Sequence, residues 1–400
     1  MSASPSQVSG CPAHGNVDRR KSAAIALKNT QPDLGAHWVK SPSIAKYILR
    51  SKHARQAGAG ADLVTFKNPE QAPVFFLDGE LHAIKRRKTQ RFLSPKAVSQ
   101  QHYLVMRKVT DELLAGFKTQ GHAKLEDLSF SLAVEVVSEI LGLTNSNQAA
   151  RVNRIQKVLA SSISNAGDGK LAKVWQNFKR ASALGTFYWF DVRPAIKARI
   201  KNPTDDAISF YIEEGYSKFM IVIECVTYGT AGMLTTREFI TMAAWYLFED
   251  QALRQQFLAG DEKEQVTILM EIVRLEPVAA MVHRRIDEEI SGIAEHPLPP
   301  GEKYGLDIRN ANIDEEMVGE CPYAVDIERA KRQSDSGKFL SFGGGPHSCP
   351  GWQVAIHETR IFLEQLFLIP ELTLDREPDI SWNSQLGSYE LRNADISCKR

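Results

Sequence analysis

The stretch FGGGPHSCPG, Phe342 to Gly351, sets one cysteine among four glycines, two prolines, a histidine and a serine. Several fates compete for Cys349. A nucleophile needs a base and usually a third group to orient it; His347 stands two residues away, without a local orienting motif. Zinc asks for about four thiol or imidazole ligands, whereas His347, Cys349 and His357 supply at most three. A buried structural role is the commonest fate of a lone cysteine. An axial ligand to iron fits the surroundings better. A metal-bound thiolate protonates unless backbone N–H groups point at the sulfur. Gly343, Gly344, Gly345 and Gly351 let amides approach that closely. A helix starting just after Cys349 adds the favourable end of its dipole.

Read as F-x-x-G-x-x-x-C-x-G, with Phe342, Gly345, Cys349 and Gly351, the loop resembles the haem-binding loop of the cytochrome P450 family. That resemblance implies haem b (iron protoporphyrin IX) with Cys349 as the axial iron ligand and Gly343 in the cofactor loop. Other segments match it in family order. EIVR places Glu271 and Arg274 three apart on one helix face, as the family's Glu-x-x-Arg ion pair. HAIKR holds His82 and Arg86 at i, i+4, where the family binds haem propionates. Arg284 and His347 match two further propionate-binding positions. AGMLTT, Ala231 to Thr236, resembles the oxygen-binding groove of the family's central helix. Small Ala231 and Gly232 leave room over the iron there. Thr235, followed by Thr236, can hold a water by its hydroxyl and open the helix locally.

Two positions depart from the family. Leu234 stands where an acid usually helps to deliver protons, and Glu238, one turn past Thr235, is the expected substitute relay. Ala324 stands where the third member of the Glu-Arg-Arg triad usually sits, so Arg329 or ordered water is expected to satisfy Glu271 instead.

The elements that must position these residues are mostly helical. Residues 124–142 carry an apolar stripe at three- and four-residue spacing and stop at Gly142. Residues 216–249 are apolar on nearly every side, the pattern of a helix buried through a large protein. Further helices run from about Gln265 to Arg274 and from Pro350 towards Pro370. Strand patterns are sparse: Trp38–Val39, KYGLDIRNAN and SYELRNADISC. The expected fold is mainly α with a small β region, the cytochrome P450 fold, as one large domain with a buried central helix over the haem. Residues 1–20 read as a disordered lead-in and residues 21–400 as the P450 domain.

Composition agrees with such an enzyme. The chain has 400 residues, 43% hydrophobic, and a net charge of +1. That argues against nucleic acid or an anionic membrane as the main partner. No segment is read as a membrane span, since the apolar run Phe219 to Val226 is short and broken by Glu224. The N-terminus lacks a secretory layout, and five scattered cysteines make no disulfide framework. A reducing compartment, the cytoplasm, is the expectation.

The resemblance implies a haem-thiolate monooxygenase that inserts one oxygen atom from O2 into an apolar small molecule, plausibly in natural-product (secondary) metabolism. No flavin or iron–sulfur motif is present, so a ferredoxin- or flavodoxin-type donor must supply electrons. Lys85, Arg87 and Lys88 read as a solvated basic run that steers it. Leu234 motivates an alternative, a peroxide-using or non-oxygenating enzyme of the same type; a haem-binding sensor is more remote. Phe75, Phe76, Tyr228, Met233 and Val278 to Met281 are substrate-side candidates. The FYWF cluster, Phe187 to Phe190, reads as buried packing.

Overall fold

The computed structural model describes residues 18, 20–23, 25, 36–58, 61, 64–163, 169–292, 297–332, 339–384 and 386–399. The expected lead-in therefore lies outside the described residues, except for Asp18 and Arg20. Arg20 is buried and its guanidinium bonds Asp18 and the carbonyl of Arg309.

The longer helices include α1 (Pro42–Arg50), α2 (Gly79–Thr89), α3 (Tyr103–Gln120), α4 (Leu125–Leu141), α5 (Gln148–Ile163) and α6 (Lys170–Phe187). They are followed by α7 (Lys218–Tyr228), α8 (Thr235–Glu249), α9 (Glu262–Leu275) and α10 (Trp352–Leu366). Local chemistry explains several of their ends. Gly142 takes a left-handed φ of 89° and stops α4 where the sequence predicts, since only glycine adopts that conformation without strain. A full capping box, Asp261 with Glu264, starts α9.

The described chain forms two compact units. The first takes Met1–Asp62, Met242–Cys349 and Asp379–Leu391. Its sheet has the order β1 (Ala36–Val39), β5 (Lys303–Asp307), β4 (Met281–Ile286), β2 (Ala54–Ala57). β1 lies parallel to β5, with Trp38 opposite Gly305, and the other two pairings are antiparallel. Ile48, Leu49, Ile286, Tyr304, Leu306 and Ile308 form the core beneath it. Two sequence expectations change here. Met281 opens a strand, and the KYGLDIRNAN segment is strand only to Asp307, where the Asp307 carboxylate caps a short helix, Ile308–Ala311.

The second unit takes Leu63–Thr241, Pro350–Pro378 and Arg392–Arg400. It holds a layered stack in which α10 packs on α3, α3 on α4, and α5 on α6. Its small sheet pairs β3 (His122–Lys124) with β9 (Asp395–Ser397), and β9 with β6 (Thr373–Leu374). The long central helix predicted over 216–249 is present from Lys218, but a π-helical turn, Gly229–Leu234, interrupts it between α7 and α8. By length and composition this helix is the one, among the described residues, that could cross a membrane. It nevertheless buries Glu224, Arg237 and Glu238, each ion-paired to protein side chains, as a core helix does.

Candidate functional site

Cys349 is a free thiol of intermediate exposure, the last residue of the first unit. Its N–H donates to the Phe342 carbonyl at 2.8 Å, which folds FGGGPHSC back on itself. Gly343 and Gly345 take left-handed φ values of 67° and 63°. Gly345 is also required by space: a Cβ there would fall 2.1 Å from the Leu49 carbonyl oxygen on α1. The glycines thus shape the loop and let it press on α1. Gly351 differs, because an added Cβ would meet nothing within 4 Å, so open space adjoins the turn after the thiol. α10 begins directly beyond it. A partly exposed thiol outside any disulfide, on a loop whose bends need glycine, fits a thiolate ligand to haem iron. His347 lies in the same loop. Arg284 is buried on β4, where its Nη1 donates to the His283 carbonyl at 2.8 Å.

Glu271 and Arg274 make the bidentate pair that their spacing predicts, at 2.9 and 3.0 Å. Arg329 completes the network. Its Nε donates to Glu271 Oε2 at 3.1 Å, and its side chain is buried. Ala324 contributes its backbone oxygen, which accepts from Arg274 Nη2 at 2.8 Å and Arg329 Nη2 at 3.2 Å. The other donors go to carbonyls of Asn312, Pro322, Val318 and Cys321. Burial pulls Arg274 below its ordinary pKa, against the Glu271 charge that supports it. Cys321 itself is disulfide-bonded, while Cys225 and Cys398 are free and buried.

In the central helix the predicted groove coincides with the π turn. Ala231 is exposed, Gly232 and Thr235 are half-buried, and Thr236 is buried. Thr235 Oγ1 donates back to the Ala231 carbonyl at 2.7 Å, so its hydroxyl takes part in the local opening. Gly232 also has a packing role. A Cβ there would lie 3.1 Å from Val137 Cγ2 on α4. Leu234 is buried. Glu238, expected as a relay, is held between two arginines: Oε1 accepts from Arg237 Nε at 2.8 Å and from Arg392 Nη1 at 2.8 Å. A carboxylate clamped by two guanidiniums is fixed in orientation, which suits a structural tie better than a proton shuttle.

His82 is buried and Arg86 half-buried on one face of α2. Lys85, beside them, departs from the solvated reading of KRRK. It is 5% exposed, with Nζ 2.6 Å from Glu224 Oε1 on α7 and also bonded to the Ala72 carbonyl. The Tyr216 ring stands 4.7 Å from that ammonium. Burial raises the pKa of Glu224 and lowers that of Lys85, and each charge opposes the other's shift. Tyr228, one turn beyond Glu224, is pushed up to about 12 by burial and then by the Glu224 charge. Arg87 remains exposed, and Lys88 pairs with Glu214 at the surface. Arg329 is thus the expected substitute for the arginine missing at Ala324, whereas nothing local in the sequence marks Lys85 and Glu224 as partners, because they are brought together from distant segments. FYWF is also corrected: Phe187 is buried, but Trp189 and Phe190 are exposed.

Comparison with known proteins agrees with this geometry. A family model described as Cytochrome P450 matches residues 266–384, which include Glu271, Arg274, Arg284 and the Cys349 loop. The chain is 27% identical over 329 residues to Cytochrome P450 CYP105Q4 of Mycobacterium marinum, covering 79% of this chain and 73% of that protein. It is 25% identical over 300 residues to Cytochrome P450 109 of Bacillus spizizenii, covering 73% and 71%. The fold resembles the crystal structure of CYP109B1 from Bacillus subtilis, with a TM-score of 0.74 at 20% identity over 93% of this chain and 97% of that one. Fold and thiol loop together are similar to those of haem-thiolate enzymes. The chain resembles cytochrome P450 proteins, a family of monooxygenases whose cofactor is haem b bound through a cysteine thiolate.

Proposed function

We propose that this monooxygenase inserts one oxygen atom from O2 into an unactivated position of an apolar small molecule, with electrons from a separate ferredoxin- or flavodoxin-type protein. The observation that carries this reading is the π turn at Gly229–Leu234, which opens the central helix beside Thr235. In this reading Cys349 would bind the haem iron through its thiolate, and His82, Arg86, Arg284 and His347 would hold the propionates. Phe342, Gly343, Gly345 and Gly351 form the loop that presents the sulfur. Bound haem supplies oxygen activation, tuned by electron donation from the thiolate. The chain's own residues do the rest. Ala231 and Gly232 keep the groove clear, and Thr235 positions a water by hydrogen bond. Glu238 ties the following turn, and Glu271 with Arg274 and Arg329 fixes the segment ahead of the cysteine loop.

An apolar natural product is the favoured substrate class. Relatives named Cyclomarin C epoxidase CymV, from Salinispora arenicola, and methyl-branched lipid omega-hydroxylase, from Mycobacterium tuberculosis, support it at 25% and 23% identity. Arg87 and Lys88 remain the exposed basic residues for donor docking, without Lys85. The cytoplasm remains the proposed compartment, with the disulfide-bonded Cys321 as the observation against it. Leu234 and the clamped Glu238 favour a second reading, in which peroxide replaces O2 and reductant. Turnover under isotopically labelled dioxygen with a reductase system decides between them. One labelled atom in the product supports the first reading; turnover only with peroxide, without label, overturns it.

A further inference from the structure

Helix α6 is built inside out. Gln176 and Arg180 face α5, where Nε2 and Nε donate to the Ser161 carbonyl at 3.1 and 2.8 Å. The apolar residues lie on the other side. Leu171, Val174, Trp175 and Phe178 follow i, i+3, i+4, i+7 spacing and are 87%, 66%, 58% and 61% exposed. Trp175 and Phe178 stack on one another, with ring centroids 5.7 Å apart. Trp189 and Phe190, just beyond α6, are 56% and 60% exposed. An amphipathic helix normally buries its apolar stripe against its neighbours. Here a contiguous stripe of aromatic and branched side chains faces water, which marks an interaction surface.

Charge selects what covers it. Residues 170–190 contain Lys170, Lys173 and Lys179 besides the α5-facing Arg180, and no Asp or Glu. The Lys179 ammonium lies 5.5 Å from the Trp175 ring, and the Arg193 guanidinium lies 4.4 Å from the Trp189 ring. The chain's net charge of +1 averages over this local imbalance. A second copy seated on the stripe would bring like charges together. An anionic lipid surface accepts both features, with aromatic rings at the headgroup level and lysines against lipid phosphates.

We propose that α6 and the Trp189–Phe190 turn dock peripherally on an anionic bilayer. The apolar stripe enters the interface and the flanking cations meet the headgroups. No span is involved. An enzyme held in this way samples apolar substrates dissolved in the membrane rather than in bulk water.

The test uses the haem-loaded full chain with vesicles of phosphatidylcholine alone and of equal parts phosphatidylcholine and phosphatidylglycerol. Cosedimentation is expected with the anionic vesicles, weakening with salt, and tryptophan emission is expected to shift to the blue. Phe178→Glu is expected to abolish binding. Lys179→Gln is expected to weaken it roughly fivefold, the worth of one cation near an anionic surface. Both side chains are exposed, so the carbon monoxide spectrum should stay unchanged in each variant and confirm folding. Wild-type protein that ignores anionic vesicles at low salt overturns the proposal. So does sedimentation showing a stable dimer that Phe178→Glu dissociates, with no vesicle binding, which would assign the stripe to a second copy.

Discussion

Two buried charge clusters, one in each unit, are handled in opposite ways. In the first unit Glu271, Arg274 and Arg329 lie almost fully buried, and backbone carbonyls from Asn312, Val318, Cys321, Pro322 and Ala324 take the remaining guanidinium hydrogens. In the second, Lys85 and Glu224 are equally buried, yet Glu224 Oε2 and the Tyr211 hydroxyl lack a well-formed hydrogen bond among the described residues. Burying a charge is compensated only when both its counter-ion and its remaining hydrogen-bond valences are supplied. The first cluster is therefore a rigid tie for the segment leading to the cysteine loop. The second leaves Glu224 and the Tyr211 hydroxyl in a looser mutual contact beside α2, the helix of His82 and Arg86.

The largest effect should come from breaking the satisfied network. Arg329→Ala leaves Glu271 short of one cation and is expected to cost roughly 3–5 kcal/mol in denaturant unfolding, with loss of haem content. An unchanged melting temperature and haem content would show that Arg329 does not replace the arginine absent at Ala324.

Glu358 extends the second unit's pattern, because its carboxyl is 1% exposed and burial alone pushes its pKa up to about 8. The folded chain then keeps a proton that the unfolded chain releases near 4.5, the ordinary value. Folded protein binds more protons in that window, so stability should fall as pH rises from about 4.5 to 8, by at most about 1.4 kcal/mol per unit. Glu358→Gln should remove that slope, so its advantage over wild type grows towards pH 8. Parallel curves for the two proteins would place a cation or water at Glu358.

The smallest effect separates the clusters most sharply. Lys85→Met with Glu224→Leu removes both charges of an incompletely satisfied pair, and the double variant should unfold within about 1–2 kcal/mol of wild type. Either single substitution should cost more than the double one, because it strands a buried charge. Removing Glu271, Arg274 and Arg329 together should instead destabilise strongly, since a dense set of carbonyls would lose its donors. Equal outcomes for the two clusters would erase the distinction.

What was legible in the sequence follows the range of the interaction. FGGGPHSCPG, EIVR and HAIKR are short patterns whose geometry is set within a turn or two, and the structure places them as the spacing requires. The stripe that ends at Gly142 was equally readable. Lys85 was not, because a lysine in KRRK looks solvated until a carboxylate 139 positions away is folded against it. Arg329, 58 positions from Glu271, was legible only through the family order that leaves Ala324 in the arginine's place, and the fold brings it onto the carboxylate. The π turn leaves no mark beyond small residues, and β4 hides in MVHRRI because its first residues are half-buried on both faces and lack a strong alternation. The inverted face of α6 was not read from the sequence. Hydrophobic spacing says that a stripe exists, and only the fold says which way it points.

The reduced, carbon monoxide-bound protein tests the central assignment most directly. With Cys349 as the axial ligand, the Soret band should move to the long-wavelength position that a thiolate opposite carbon monoxide produces, and Cys349→His should abolish that position while haem stays bound. A fully haem-loaded, undamaged wild-type protein without the shifted band would contradict the assignment of Cys349 and the oxygen chemistry built on it.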